Sequence, residues 1–144
     1  METISFREME LEDVPFFLDI RNECRDMLHD SSYYSLEEAF EWWPKKEGDY
    51  WVIRSGMFEI GYVRLSNLGT ENVQVGMDIH VDFRNQGYGA LAYYYLFIEL
   101  LDRGHKKCSL RVLKGNDRAI YLYQKLGFIT LDETETDFYM EKKL

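Results

Sequence analysis

Residues 73–104 read "VQVGMDIHVDFRNQGYGALAYYYLFIELLDRG", and a change of period inside this stretch decides the fold. Up to Val81 the residues alternate. Val73, Val75, Met77, Ile79 and Val81 share one parity, and Gln74, Gly76, Asp78 and His80 the other. A period of two predicts a strand with one face for a core and one free for chemistry. From about residue 88, Leu91, Tyr94, Tyr95, Ile98 and Leu101 fall instead at helical spacing, closed by Gly104 as a C′ residue. Between strand and helix lies "RNQGYGA", residues 84–90. In that order, the N–H groups at the helix start face outward with the positive end of the helix dipole behind them, a setting that suits an anionic phosphate. Gly87 and Gly89 allow close approach of the main chain, and Arg84 adds a cation. On glycine spacing alone, an ordinary strand-to-helix turn has equal claim.

Two other phosphate motifs are tested by the same residues. A Walker loop needs a lysine that this segment lacks. "GYGALA" satisfies the dinucleotide fingerprint, but the acidic residue expected about twenty positions later, on a parallel βαβ unit, is replaced by "KKCSLRV".

Outward from this centre, strands and helices alternate. "TISFREM" reads as a first strand, and Leu11, Val14, Leu18 and Arg21 as a helix with Pro15 in its first turn. Ser35 and Glu38 form a capping-box pattern that starts a second helix, which Pro44 stops. "YWVIRS", "FEIGYVRLS" and "NVQVGMDIHV" predict an antiparallel meander with turns near Gly56 and Gly69. After the glycine-loop helix come a strand, "KKCSLRVL", a helix from Asn116 to Leu126 with Ala119, Leu122, Tyr123 and Leu126 on one side, and two strands, "FITLDE" and "FYMEKKL". The fold class is α+β: a mixed, mostly antiparallel sheet of about six to seven strands flanked by about four helices. No repeat or linker divides residues 1–144, so one domain is expected.

The composition excludes several classes. A formal charge of −9 disfavours a nucleic-acid partner, whose phosphates need a basic surface. The charge is uneven: residues 1–83 hold 7 Lys/Arg against 18 Asp/Glu, whereas residues 84–128 hold 8 against 3. The one basic segment is the one carrying the glycines, as a polyanionic ligand would require. No membrane-span or signal-peptide pattern is present, so a cytoplasmic protein without a membrane partner is expected. Cys24 and Cys108 have neither disulfide-framework nor metal-ligand spacing, and no metal is expected.

Two segments together resemble the GNAT family of N-acetyltransferases. "RNQGYG", Arg84 to Gly89, is similar to the family's R/Q-x-x-G-x-G/A signature, and "NDRAIYLYQKLGF", Asn116 to Phe128, to its N-x-x-A-x-x-x-Y-x-x-x-G-F signature. The resemblance covers nearly the whole chain in element order. It implies acetyl-CoA as co-substrate. On it, the backbone at Met77, Asp78 and Ile79 pairs with the pantetheine arm. The loop Arg84, Asn85, Gln86, Gly87, Tyr88, Gly89, Ala90 holds the pyrophosphate, and Asn116 and Tyr123 lie beside the thioester. Lys106, Lys114 and Arg118 are candidates for the remaining phosphate.

Acyl transfer to an amine needs a neutral nucleophile and a proton for the departing thiolate. A phenol, with a pKa near ~10, holds that proton at neutral pH, which suits Tyr123. The other reading of Tyr123 is a core residue on an amphipathic helix. The glutamate that family members carry as a base corresponds to Gln74 or Arg111 here, leaving Asp78 and His80 as candidates. The early helices resemble a subgroup that includes amino-sugar and protein N-terminal acetyltransferases, which implies acceptor contacts at Arg21, Asn22, Tyr33, Tyr34, Trp42 and Gln74. The acceptor is then a small-molecule amine, drawn by a negative N-terminal half. A protein amine is the rival acceptor, and an inactive CoA-binding module is the alternative of another class. A homodimer formed by pairing at "FYMEKKL" is also open.

Overall fold

The computed structural model describes residues 3–144. Seven strands, β1 (Ile4–Glu8), β2 (Asp49–Ser55), β3 (Phe58–Ser66), β4 (Gln74–Ile79), β5 (Lys107–Leu113), β6 (Ile129–Glu133) and β7 (Asp137–Lys143), form one sheet in the order β1-β2-β3-β4-β5-β7-β6. Four α-helices accompany it: α1 (Val14–Glu23), α2 (Leu36–Trp42), α3 (Tyr88–Asp102) and α4 (Asp117–Lys125). All neighbouring strands are antiparallel except β4 and β5. Those two run parallel and share a single register pair, Gln74 with Ser109, where the Ser109 N–H donates to the Val73 carbonyl at 3.0 Å. Past that pair the strands part, and the backbone edges of both are left without a partner strand. A sheet opened at its centre is the frame on which the site is built.

Helices cover both faces. On one, Ala92, Tyr93, Leu96, Phe97 and Leu100 of α3 pack into the main core with Ile53, Leu65, Val75, Leu110 and Met140. On the other, Phe17 and Ile20 of α1 pack on Val52 and Tyr62. Strand β2 therefore buries consecutive side chains, Trp51, Val52 and Ile53, toward alternate faces. Among the described residues no helix is long and apolar enough to cross a membrane.

The structure departs from expectation at three places. The buried stripe of α3 is not the one predicted: Tyr94, Ile98 and Leu101 are exposed, and the residues beside them face the core. This helix is apolar nearly all round, so its spacing fits two stripes equally well. Val81 is exposed because β4 ends at Ile79 and the chain turns into a short 3₁₀ segment, Val81–Phe83. Finally, the strand "FYMEKKL" has no free edge, since β7 lies between β5 and β6; the outer strands are β1 and β6.

Candidate active site

Where β4 and β5 part, a cavity of about 720 Å³ opens. Gly76, Met77 and Asp78 line it from β4, Arg111 and Val112 from β5, and Asn116 and Tyr123 from α4; α1, α2 and their connection close the opposite side.

The glycine loop follows β4. Asn85 and Gly87 have φ of 61° and 84°, the left-handed region that asparagine and glycine tolerate best. The first backbone bond of α3 runs from the Leu91 N–H to the Gly87 carbonyl at 3.2 Å. Among the described residues, the N–H groups of 85–90 donate to no protein acceptor. The N–H groups of the first turn of this 15-residue helix have no carbonyl within the helix to bond, a setting that suits an anion. Tyr88 packs edge-on against Phe83, and Gly89 and Ala90 begin the first turn. The Gln86 amide donates to the Asp82 carbonyl at 3.1 Å.

The guanidinium of Arg84 is not the free cation that the sequence suggested. It donates to the Ile79 carbonyl at 2.8 Å and forms a forked pair with Glu23, which ties the loop to the end of α1. The Glu23 hydrogen bond raises its pKa further. Lys114 is likewise taken, by Glu133 at 2.6 Å.

The second signature is a short helix fixed at both ends. The Asn116 side chain caps α4 by accepting from the Ala119 N–H at 3.3 Å. At the other end Gly127, at φ 97°, closes a Schellman turn, with Gly127 N–H to Gln124 O at 3.1 Å and Phe128 N–H to Tyr123 O at 2.9 Å. Two caps on nine residues set the rotation of the helix, and with it Tyr123. This ring is half-buried and meets Tyr93 and Phe128 edge-on at 5.7 Å. Burial pushes its phenol above the ordinary value, so the proton stays on at neutral pH.

Asp78 sits on the cavity wall, half-buried, and Tyr62 from β3 donates its hydroxyl proton to the carboxylate at 2.5 Å. Burial raises the Asp78 carboxyl above its ordinary value, while Tyr62, Arg64 and Arg84 pull it down. His80 does not join it. The His80 ring lies flat against Phe16 at 6.1 Å, and its Nδ1 accepts from the Asp82 N–H at 3.1 Å, capping the 3₁₀ segment. Neither Met77 nor Ile79 contributes chemistry by side chain: Met77 lines the wall, and the Ile79 carbonyl holds Arg84.

Of the six acceptor candidates, Arg21, Tyr34 and Trp42 line the cavity, and Asn22, Tyr33 and Gln74 do not. Arg21 is buried and donates to the carbonyls of Ser32 and Asp30. The Asn22 amide clasps the Tyr34 backbone at both ends, donating to the carbonyl at 2.8 Å and accepting from the N–H at 3.1 Å. These bonds make the α1–α2 connection a fixed strap. His29 anchors its far side by hydrogen bonding Asp137 of β7 at 2.8 Å. Tyr33 is exposed beneath Arg25, and Gln74 stands at the Ser109 junction. Trp42 stacks on Phe17 at 5.3 Å and meets Tyr50 edge-on at the same distance.

Among the cavity residues missed from the sequence are Tyr62 and Arg64. In register, Tyr62 stands opposite Asp78 and Arg64 opposite Gly76. A signal existed: both share the parity of β3 that leaves Val63 and Leu65 to the core, and the meander aligns it with the polar parity of β4.

The chain matches the family model described as acetyltransferase (GNAT) family over residues 14–128. An uncharacterized protein of Methanocaldococcus jannaschii is 31% identical over 98 residues, which span 64% of this chain and 20% of that protein. The crystal structure of a domain from the same organism superposes with a TM-score of 0.86 at 24% identity, covering 100% of both chains. Spermidine N-acetyltransferase from Vibrio cholerae, solved with CoA and spermine, superposes with a TM-score of 0.85 at 18% identity, covering 98% of this chain and 95% of that one. The family match spans both signatures, the parting of β4 and β5 and the cavity wall, and this chain belongs to the GNAT acetyltransferases.

Proposed function

We propose that this chain transfers an acetyl group from acetyl-CoA to the primary amine of a small molecule such as an amino sugar. The observation that carries the reading is the pair of protonatable groups on one cavity wall: Asp78 from β4 and Tyr123 from α4, either side of the gap where β4 and β5 part. Acetyl-CoA supplies an activated thioester. The free N–H groups of residues 85–90 suit its pyrophosphate, and the unpaired edge of β4 at residues 77–79 suits its pantetheine amides.

The chain's residues then divide the proton work. Asp78, oriented by the Tyr62 hydroxyl, accepts the amine proton directly or through a water. Tyr123, held protonated by burial, donates to the departing thiolate. Asn116 keeps Tyr123 in place through the helix cap. The strap held by Arg21, Asn22 and His29 walls one side of the cavity, which favours a small acceptor over a protein chain.

The test combines calorimetric binding of acetyl-CoA with thiol release across a panel of small amines and peptides. An amine-dependent thiol release is expected. Tyr123→Phe should lower kcat by about 100-fold or more with little change in acetyl-CoA affinity. Binding of acetyl-CoA without release on any acceptor would mark a CoA-binding module, and release by peptides alone would move the acceptor to proteins.

A further inference from the structure

Among the described residues, two buried side-chain polar atoms have no hydrogen-bond partner, the Arg54 Nε and the Tyr93 hydroxyl. They differ in setting. Arg54 as a residue is half-buried, whereas Tyr93 of α3 is 2% exposed and stands in the main core. A buried hydroxyl with nothing to bond costs stability, and a phenylalanine would fill the same space without that cost. The mechanism above does not use Tyr93, so its hydroxyl calls for a reason.

The surroundings supply one. The rings packed on Tyr93 are Phe97 at 6.0 Å, Phe128 at 6.3 Å and Tyr123 at 5.7 Å. The two phenylalanines offer no acceptor, and Tyr123 does. Tyr123 lines the cavity and Tyr93 does not, so Tyr123 has the cavity on one side and the buried hydroxyl on another. Burial raises both phenols, Tyr93 well above its ordinary range, while the approach of the two hydroxyls raises Tyr93 further and pulls Tyr123 down. That pairing of signs makes Tyr93 the donor and Tyr123 the acceptor. The charged groups acting on Tyr123 are Asp78 of β4, which raises it, and Arg64 of β3, which lowers it.

We infer that Tyr93 is a positioning residue for the acid: its buried hydroxyl donates a hydrogen bond to the Tyr123 oxygen as that oxygen gives its proton to the departing thiolate. This rests on the acetyl-transfer reading and adds a residue to it. In the step the Tyr123 O–H bond breaks and an S–H bond forms. The electron pair of the broken bond stays on Tyr123 as a phenolate, into which Tyr93 donates while keeping its own proton. The proton that the acceptor nitrogen gives up, carried by Asp78 or by solvent, restores Tyr123. A phenolate in a buried site is costly, and a donor aimed at it acts where the charge develops.

The test is a cycle of Tyr93→Phe, Tyr123→Phe and the double variant in the whole chain. It is read by melting temperature and by kcat and KM for thiol release from acetyl-CoA, with glucosamine, spermidine and an unblocked peptide as amines. Tyr93→Phe should hold or raise the melting temperature, leave both KM values in place and lower kcat about 10-fold, the size of one hydrogen bond to a charged group. In the Tyr123→Phe background the same substitution should cost less than about twofold, because the group it acts through is gone. A readout without turnover uses chains carrying fluorotyrosine, whose phenol ionises at lower pH than tyrosine. The fluorine signal missing from Tyr123→Phe identifies Tyr123, and without acetyl-CoA it should titrate about one pH unit higher in Tyr93→Phe than in the wild type. The inference is overturned if Tyr93→Phe keeps the wild-type kcat, if it slows the Tyr123→Phe chain as much as the wild type, or if the Tyr123 titration does not move up. A Tyr123→Phe chain as fast as the wild type would instead remove Tyr123 from the acetyl-transfer reading. If no amine releases thiol, that reading falls, and the titration still decides whether Tyr93 acts on Tyr123.

Discussion

Two irregular segments of the chain, the loop that follows β4 and the strap that lines the cavity, treat their polar groups in opposite ways. The glycine loop, residues 85–90, leaves six backbone N–H groups with no protein acceptor among the described residues. In the strap between α1 and α2, by contrast, the Arg21 guanidinium, the Asn22 amide, the Tyr34 backbone and His29 all have protein partners. The first is held in shape by backbone dihedrals and by Arg84 gripping Glu23, not by bonds from its own N–H groups. The second is held by its own hydrogen bonds and serves as a wall. An acetyltransferase needs both: a donor site that is the same for every turnover, and an acceptor wall whose shape selects.

The largest effect should come from filling the loop. Gly87→Glu with Gly89→Glu puts two carboxylates where an anion should sit, and acetyl-CoA affinity should fall by about 100-fold or more, read by calorimetry. The two glycines can also be separated. Gly87 has φ 84°, so Gly87→Ala should cost about 1 kcal/mol of stability. Gly89 sits at ordinary helical dihedrals, with only Leu122 within 3.8 Å of a new Cβ, so Gly89→Ala should leave thermal stability unchanged or slightly raised. Equal losses from the two alanines would mean that the loop is not held by Gly87.

Next in size is Asp78, on the cavity wall. Its carboxyl is raised by burial, so the neutral form is favoured in the folded chain and its stabilising share is lost as pH rises through the folded value. Catalysis has the opposite slope, since a base must be ionised. Asp78→Asn should therefore lower kcat/KM by about 100-fold and flatten the acid limb of the pH profile, while stability at neutral pH is held or increased. A parallel fall in melting temperature would assign Asp78 to structure through Tyr62.

The features legible in the sequence were those fixed by local chemistry. Both signatures are capping devices: Gly87 opens α3, and Asn116 and Gly127 close the two ends of α4, within about a dozen residues in each case. The Ser35–Glu38 capping box formed as its spacing required. What was not legible depends on register between distant segments. Tyr62 is one residue of the strand "FEIGYVRLS", and only the ladder places it opposite Asp78. The buried face of α3 was ambiguous because two stripes are apolar, and only packing on the sheet chooses. His29 and Asp137 are 108 residues apart and meet only in the fold.

The smallest effect, and the most selective for the strap, concerns that last contact. The Asp137 carboxylate accepts from Thr136, His29 and Thr134, and its pKa is lowered to about 2. A carboxyl lowered in the folded state contributes stability that is complete above its ordinary range, near ~3.9, and is lost as pH falls toward that folded value. The wild type should therefore lose melting temperature between pH 5 and pH 2 faster than Asp137→Asn, by a few degrees, because the variant has no such group to protonate. The same substitution at neutral pH frees the far end of the strap while Arg21 and Asn22 still hold the near end. Acceptor KM should rise about threefold, a loss in keeping with one hydrogen bond, and acetyl-CoA affinity should not move. If both ligands weakened together, the loop and the strap would be coupled through β7 and the division between a fixed donor site and a selecting wall would fail.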